Sequence, residues 1–245
     1  MKSLSRAASS LLIALAVSLG GCANLPPGKT LDPQDPFERF NRASDGFNET
    51  LDKVFVKPVA KAYNTVAPGF VQTGIANFFG NLSDVPTALN DVLQAKPKAA
   101  GVHAARVAIN STIGLLGFID VATDMGLQRD REDFGLTLGT WGAGSGPYLV
   151  LPFFGPSSAR DAVALPLDWA TDPVILVPGD VAVRNALIGT RYVDRRAGVL
   201  GVQELVEEAA FDKYLLVRDA YLAHRKSRVE EGAKQPPTAP EPSKD

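Results

Sequence analysis

Apolar residues recur at close to helical spacing through the first half and the last quarter of the chain. Asp35, Pro36 and Glu38 are typical of a helix start, with an N-capping carboxylate, a proline at the first helical position and an acid in the first turn. The spacing predicts helices over residues 35–54, 59–67, 70–82, 86–94 and 97–112, and again over 180–208 and 211–229. Because strand signals are scarce, the pattern predicts an all-α fold.

Residues 113–178 are also mostly apolar, but glycine and proline interrupt them repeatedly. No uninterrupted stretch reaches the roughly 18 to 20 residues that one helix needs to cross a bilayer. Interrupted backbone is tolerated at membrane depth only where it is buried in protein or lines a wet cavity. We therefore expect Gly/Pro-broken amphipathic segments in a helical body that is embedded in or lies against one leaflet. The core of an ordinary soluble helical domain would give a similar pattern.

The N-terminus has the organisation of a bacterial lipoprotein signal. Lys2 and Arg6 precede an apolar run over residues 11–19, and two glycines stand directly before Cys22, the single cysteine. We interpret residues 1–21 as a signal peptide and Cys22 as the first mature residue, carrying an S-diacylglycerol and an N-acyl chain such as palmitate. Ala23, rather than an aspartate, favours the outer membrane. An ordinary secreted protein with a stray cysteine is the alternative.

Two proline-rich segments flank the helical body. Residues 22–34 are expected to tether the acylated cysteine to a single domain over residues 35–229, and residues 230–245 to form a disordered tail. The chain has 25 Lys and Arg against 27 Asp and Glu, a net charge of −2, which loss of the two signal-peptide cations makes more negative. This charge offers no surface for nucleic acid, and acylation of the single cysteine leaves no internal disulfide.

Motifs for catalysis or metal binding are weak. His103 and His224 lie in predicted helices without metal-ligand spacing, and Ser145, between two glycines, does not fit the nucleophile elbow of serine hydrolases. Glu132 and Asp133 are adjacent, so on a helix their carboxylates would point about 100° apart. The helix-start interpretation of this pair, with Phe134 as the first buried residue, is the simpler one. We expect no enzyme activity, no metal and no cofactor other than the covalent acyl groups.

Three groups of residues are candidates for contact with lipid. The first group shares one side of a predicted helix and comprises Phe78, Phe79 and Leu82. The second flanks the break at Pro152 and comprises Leu149, Leu151, Phe153 and Phe154. The third is a run of glycines that would supply positive φ or close backbone approach at a passage, and comprises Gly142, Gly144 and Gly146. Ordinary core packing is the alternative for the two apolar groups.

The order of short motifs resembles the MlaA (VacJ) family of outer-membrane lipoproteins. The matching segments are DPFERFNR (35–42), NFFGNL (77–82), NDVLQ (90–94), RVAINSTIGLLGFIDVA (106–122), EDFG (132–135) and YLLVRDAY (214–221). Leu136 departs from the family pattern, in which a polar glutamine is expected. Each motif alone is weak, but their shared order along most of the body, behind a lipoprotein signal, is specific.

The resemblance implies a ring-like, multi-helical domain in the inner leaflet of the outer membrane, with an amphipathic channel. It implies retrograde phospholipid transport, in which misplaced phospholipid leaves the outer leaflet and passes to a periplasmic carrier, so that lipid asymmetry is maintained. Trimeric porins are implied as further partners. A structural, porin-associated lipoprotein without transport activity and a lipolytic enzyme are the alternatives.

Overall fold

The computed structural model describes residues 32–177, 179–202 and 211–234. Helices dominate this part of the chain, which confirms the all-α prediction. The helices are α1 (Glu38–Leu51), α2 (Lys57–Val66), α3 (Gly69–Leu93), α4 (Pro97–Thr112), α5 (Val121–Asp124), α6 (Phe134–Thr140), α7 (Ala159–Thr171), α8 (Val181–Gly198) and α9 (Lys213–Lys234). A π-helical turn, Asp52–Val56, joins α1 to α2, and one hairpin pairs β1 (Tyr148–Leu151) with β2 (Gly155–Ser158). Among the described residues, no helix has both the length and the apolar character of a membrane span.

The first helix begins later than predicted, because Asp35 has a different role. Its side chain caps no helix; α1 begins at Glu38 without a side-chain cap. The Asp35 carboxylate is buried, and it accepts hydrogen bonds from Asn41 Nδ2 at 2.7 Å and from the Tyr214 hydroxyl at 2.5 Å. Asp35 therefore joins the two ends of the described chain, a role that local sequence does not reveal.

Helix α3 combines the predicted helices over residues 70–82 and 86–94 into one, with Pro86 inside it. Proline lacks an N–H and normally interrupts a helix. Here neighbouring polar side chains donate to backbone carbonyls one turn earlier: Ser83 Oγ to Phe79 O and Thr87 Oγ1 to Ser83 O, both at 2.9 Å. Asn90 Nδ2 donates to the carbonyl of Pro86 at the same distance. The carbonyl that loses its helical donor is that of Leu82, four residues before the proline, which these bonds do not reach; the helix nevertheless continues through Pro86 to Leu93.

Helices α3 and α4 pack together around the buried guanidinium of Arg106. Its Nε donates to Asp84 Oδ2 at 3.1 Å, and its Nη2 donates to both carboxylate oxygens of Asp120 at 3.0 Å. Hydrogen bonds from Asn110, Thr123 and Arg106 lower the pKa of Asp120 to about 2, outweighing burial, which alone would raise it. The Asp84 pKa is raised, because burial outweighs the nearby Arg129 and Arg106 charges. This network fixes α5, which Asp120 caps, against α4.

The hairpin is the small β element that the sequence did not predict. Two asparagines on α1 hold it as a neighbouring strand would: Asn41 donates to Tyr148 O at 3.0 Å and accepts from Val150 N at 2.8 Å. Further along α1, Asn48 holds the end of β1 in the same way: it donates to Leu151 O at 3.0 Å and accepts from Phe153 N at 2.7 Å. The hairpin edge is therefore satisfied by side-chain amides from a helix, which only tertiary structure brings into place.

A buried hydrophobic cluster lies where the hairpin meets α9. Tyr148, Val150 and Tyr214 form its buried centre, and Leu215, Tyr221 and Leu222 pack against it. On the same helix, Arg225 pairs with Asp133 and Asp161, which ties α9 to the starts of α6 and α7. Helix α9 thus connects the hairpin with α6 and α7.

Several predicted boundaries shift at the C-terminal end. Helix α9 runs to Lys234, five residues into the segment predicted as a tail. Helix α8 begins at Val181, where the Asp180 side chain accepts from Ala182 N at 2.7 Å, as its position in the sequence indicates. The signal peptide, Cys22 and residues 203–210 and 235–245 lie outside the described residues.

Candidate lipid-contact site

A cavity of about 360 Å³ opens between α2, α3 and α8. Its lining combines apolar Phe79 and Ala76 of α3 with the polar residues Tyr63 of α2, Asp194 and Arg195 of α8, and Arg131 from the loop before α6. The cavity is therefore amphipathic. Sequence reasoning selected Phe79 but missed both arginines, because nothing in a linear pattern indicates that residues 131 and 195 face the same space.

The α3 candidates have different surroundings from one another. Phe79 is 5% exposed; it packs edge-on against Phe78, with the ring centroids 5.2 Å apart, and it lines the cavity. Phe78 and Leu82 are half-buried. The helical spacing placed the three side chains correctly on one side, but that side faces the protein interior at Phe79.

The hairpin candidates divide into two faces. Because alternate side chains of β1 point in opposite directions, Tyr148 and Val150 are buried whereas Leu149 and Leu151 are half-buried. At the turn, Phe153 and Phe154 are 62% and 57% exposed. Phe153 has a φ of 70°, a left-handed conformation that costs a bulky residue free energy. Their rings pack against Phe47 and Trp169, both at centroid distances near 5 Å. A strained turn here presents aromatic surface to the outside.

A second exposed apolar cluster lies in the loop between α4 and α5. The sequence pattern did not identify it as a candidate for lipid contact. Its members are more than a third exposed; they are Ile113, Leu115, Leu116, Phe118 and Ile119. Leu115 and Leu116 have φ values of 51° and 59°. The loop packs closely on α3, where an added Cβ at Gly74 would lie 2.0 Å from the Phe118 ring. Contiguous exposed apolar surface of this kind is typical of contact with a membrane or a partner protein.

The glycine run is only partly as predicted. Gly142 and Gly146 have φ values of +99° and +66°, and an added Cβ at Gly146 would lie 2.9 Å from the Cβ of Ala159. Gly144 lies in open space without a positive φ, so no backbone requirement is observed at that position. The loop lines a second cavity of about 510 Å³, opposite Tyr221 and Arg225 of α9. Gly142 and Gly146 fit the predicted conformational role, whereas Gly144 does not.

His103 and Asp133, two of the residues considered for catalysis, have structural partners. His103 is buried, with Nδ1 2.7 Å from Asp91 Oδ2; burial alone would lower its pKa, but this carboxylate raises it. Asp133 caps α6 by accepting from Leu136 N at 2.8 Å, as the helix-start interpretation predicts. Leu136, where the family pattern expects glutamine, is buried. Within the described ranges, no cluster of potential metal ligands is present.

Comparison with known proteins places this fold in a family. The family model for the MlaA lipoprotein matches residues 33–228, which is most of the chain. The chain belongs to the MlaA lipoprotein family. The match includes every element described from α1 to the greater part of α9.

Relatives of this MlaA-family chain include named transport proteins. The intermembrane phospholipid transport system lipoprotein MlaA of Escherichia coli K12 is 36% identical over 198 residues, 76% of this chain and 75% of the relative. The protein of the same name from Haemophilus influenzae is 32% identical over 230 residues, 89% of this chain and 88% of the relative. An uncharacterized protein of Rickettsia bellii is 34% identical over 197 residues, 80% of this chain and 77% of the relative.

A solved structure has the same fold. It comes from a study of the structural basis for maintenance of bacterial outer membrane lipid asymmetry, and it matches with a TM-score of 0.67 at 31% identity. The match covers 80% of this chain and 98% of that one. The fold of this MlaA-family protein is therefore shared with a relative studied in the context of outer-membrane lipids.

Proposed function

We propose that this protein removes misplaced phospholipid from the outer leaflet of the outer membrane and passes it to a soluble periplasmic carrier. The observation that carries the proposal is the family match over residues 33–228, whose named relatives are lipoproteins of an intermembrane phospholipid transport system. We infer that the protein acts at the periplasmic side of the outer membrane, anchored through acylated Cys22.

The exposed apolar groups support a position in the leaflet. The hairpin turn presents Phe153 and Phe154, and the loop over residues 113–119 presents two leucines in a left-handed conformation. In this proposal both groups contact acyl chains, so the body lies in one leaflet without a spanning helix. The ring-like shape, the amphipathic channel and the association with trimeric porins, all implied by the family resemblance, are further parts of the proposal.

The cavity between α2, α3 and α8 supports a path for lipid. A phospholipid leaving a leaflet needs polar surroundings for its headgroup and apolar surroundings for its chains. The lining of the cavity combines Arg131 and Arg195 with Phe79 and Ala76. We infer that the protein moves lipid without changing it chemically, so no catalytic activity is expected.

The test is transfer of a fluorescent phospholipid from proteoliposomes that contain the acylated protein and a porin to a purified periplasmic carrier. We expect transfer that depends on the protein and yields unmodified lipid. Absence of transfer together with stable porin binding would instead support a structural role. Appearance of lysophospholipid would identify a lipase and refute the transport proposal.

A further inference from the structure

Two arginines face the amphipathic cavity without an anionic partner. Arg131 and Arg195 both line the cavity, and within the described ranges neither side chain forms an ion pair or hydrogen bond. The acids nearest to Arg195 already have partners, since Asp194 accepts from the Tyr63 hydroxyl at 3.0 Å and Asp172 pairs with Arg191 at 2.7 Å. The cavity therefore holds two guanidinium groups that make no ion pair, beside the Asp194 carboxylate, which also lines it and is already bonded to Tyr63.

The backbone near Arg131 is held in place, so its side chain reaches the cavity from a fixed base. Arg228 of α9 donates to the carbonyl of Arg131 at 2.8 Å and also pairs with Asp130. The N–H of Arg131 donates to Asp130 Oδ1 at 2.8 Å, and the N–H of Asp130 bonds His103 Nε2 at 3.3 Å. This segment is anchored to α4 and to α9, which leaves the guanidinium of Arg131 available.

Arg195 differs from its neighbour on α8. Arg196 forms a bidentate pair with Asp52 at 2.6 and 2.7 Å, which fixes the helix to the end of α1. Arg195, one position earlier, points to the cavity instead. Solvent reaches Arg195 through the cavity. Its pKa is nevertheless lowered by desolvation in the surrounding protein and by the positive charge of Arg131. Placing an anion between the two guanidinium groups would relieve this repulsion.

We propose that Arg131 and Arg195 bind the phosphate of a phospholipid headgroup in the cavity between α2, α3 and α8. This inference rests on the proposed transport function and names the group by which the lipid is held. Guanidinium groups match phosphate oxygens in pairs, and such charge-assisted hydrogen bonds are stronger than neutral ones. The cavity volume of about 360 Å³ is near the lower end of the range for ligand pockets. It therefore suits a headgroup, while the acyl chains lie along apolar surface outside it.

The test is equilibrium binding to the full acylated protein in nonionic detergent micelles. The probes are fluorescent phosphatidylglycerol, a fluorescent diacylglycerol with the same chains but no phosphate, and inorganic phosphate as a competitor. We expect Arg131→Gln and Arg195→Gln each to weaken phosphatidylglycerol binding about tenfold, equivalent to about 1.4 kcal/mol, and to leave diacylglycerol binding unchanged. Arg195→Lys keeps the charge and should recover part of the affinity.

Arg184→Gln is the matched control, because Arg184 lies on the same helix, is only partly buried, and contacts Asn185 through its side chain. It should leave binding of both lipids unchanged. Equal loss of both lipids in the cavity variants, or unchanged phosphatidylglycerol binding, would overturn the proposal. Competition by micromolar inorganic phosphate would also overturn the lipid assignment in favour of a free-ion site.

The transfer assay separates this inference from the transport proposal. If the unmodified protein transfers no lipid but phosphatidylglycerol binding still depends on both arginines, the site stands and the transport function fails. If the unmodified protein transfers lipid and the Arg131→Gln/Arg195→Gln double variant transfers and binds it equally well, transport stands and the phosphate site is refuted.

Discussion

Replacement of Arg106 by methionine should strongly destabilise the fold. The Arg106 side chain is fully buried, and it donates to Asp84, to both oxygens of Asp120 and to Thr123 Oγ1, the last at 3.0 Å. Methionine fills a similar volume but leaves these carboxylates without their main partner. Removing one member of a buried ion pair typically costs about 3–5 kcal/mol, because the remaining charge is uncompensated. We expect a loss of unfolding free energy within that range.

The assay is urea unfolding of the chain that begins after Cys22, followed by far-ultraviolet circular dichroism at pH 7. Arg184→Met, which removes the same charge from a partly exposed position on α8, is the control, and it should change stability by less than about 0.5 kcal/mol. Because burial raises the pKa of Asp84, this carboxylate is the costlier one to leave charged. Adding Asp84→Asn to Arg106→Met should therefore recover part of the lost stability.

A loss of less than about 1 kcal/mol in Arg106→Met would refute this reasoning, since it would mean that Arg129 or water compensates both carboxylates. Failure of Asp84→Asn to recover any stability would locate the cost elsewhere, at Asp120 or Thr123. Equal destabilisation by Arg184→Met would show that net charge rather than the network is responsible.

Four further outcomes are expected. Cys22→Ala should remove the mature protein from outer-membrane fractions, and normal fractionation of this variant would mean that the body holds itself in the membrane. Gly146→Val should lower the melting temperature and disturb lipid transport, since its φ of +66° and the nearby Ala159 disfavour a Cβ by about 1–2 kcal/mol, whereas Gly144→Val, in open space, should do neither. Phe153→Asp should keep cooperative melting but lose detergent binding, whereas Phe79→Asp should unfold the protein; the reverse pattern in melting curves would contradict the burial of the two rings. Burial and nearby carboxylates raise the pKa of Asp168 to about 6, so the folded state holds a proton that the unfolded chain releases near pH 4. The free energy of unfolding should therefore fall as pH rises from about 4 to about 6. Asp168→Asn should flatten this slope when unfolding is measured as a function of pH.

Local sequence determined most helix positions correctly. Helix α4 has the predicted bounds of residues 97–112, and Asp133 and Asp180 cap the helices that follow them. Caps and the helical period act over a few residues, so they can be read directly from the chain. The order of the family motifs, a property of sequence alone, also indicated the class of protein before any geometry was known, and the family match confirms it.

Tertiary structure determined the outcome at positions where the local sequence predicted the wrong structure or predicted nothing. Asp35 has the sequence context of a cap, but Tyr214, 179 residues away, takes its carboxylate into the interior. Pro86 has the context of a helix end, but α3, which packs against α4, continues through it. In both cases, tertiary contacts outweigh a local preference of about 1–3 kcal/mol.

The candidate site shows the same division. Sequence selected Phe79 and Phe153 equally, because both are apolar and flanked by breaks or by other aromatics; burial then placed one in a cavity wall and the other on an exposed turn. Arg131 and Arg195 carried no sequence signal, since an unpaired charge is recognised only when every nearby acid is known to be occupied. Periodicity depends on neighbours along the chain, whereas exposure and charge balance depend on neighbours in space, and only the folded structure supplies those.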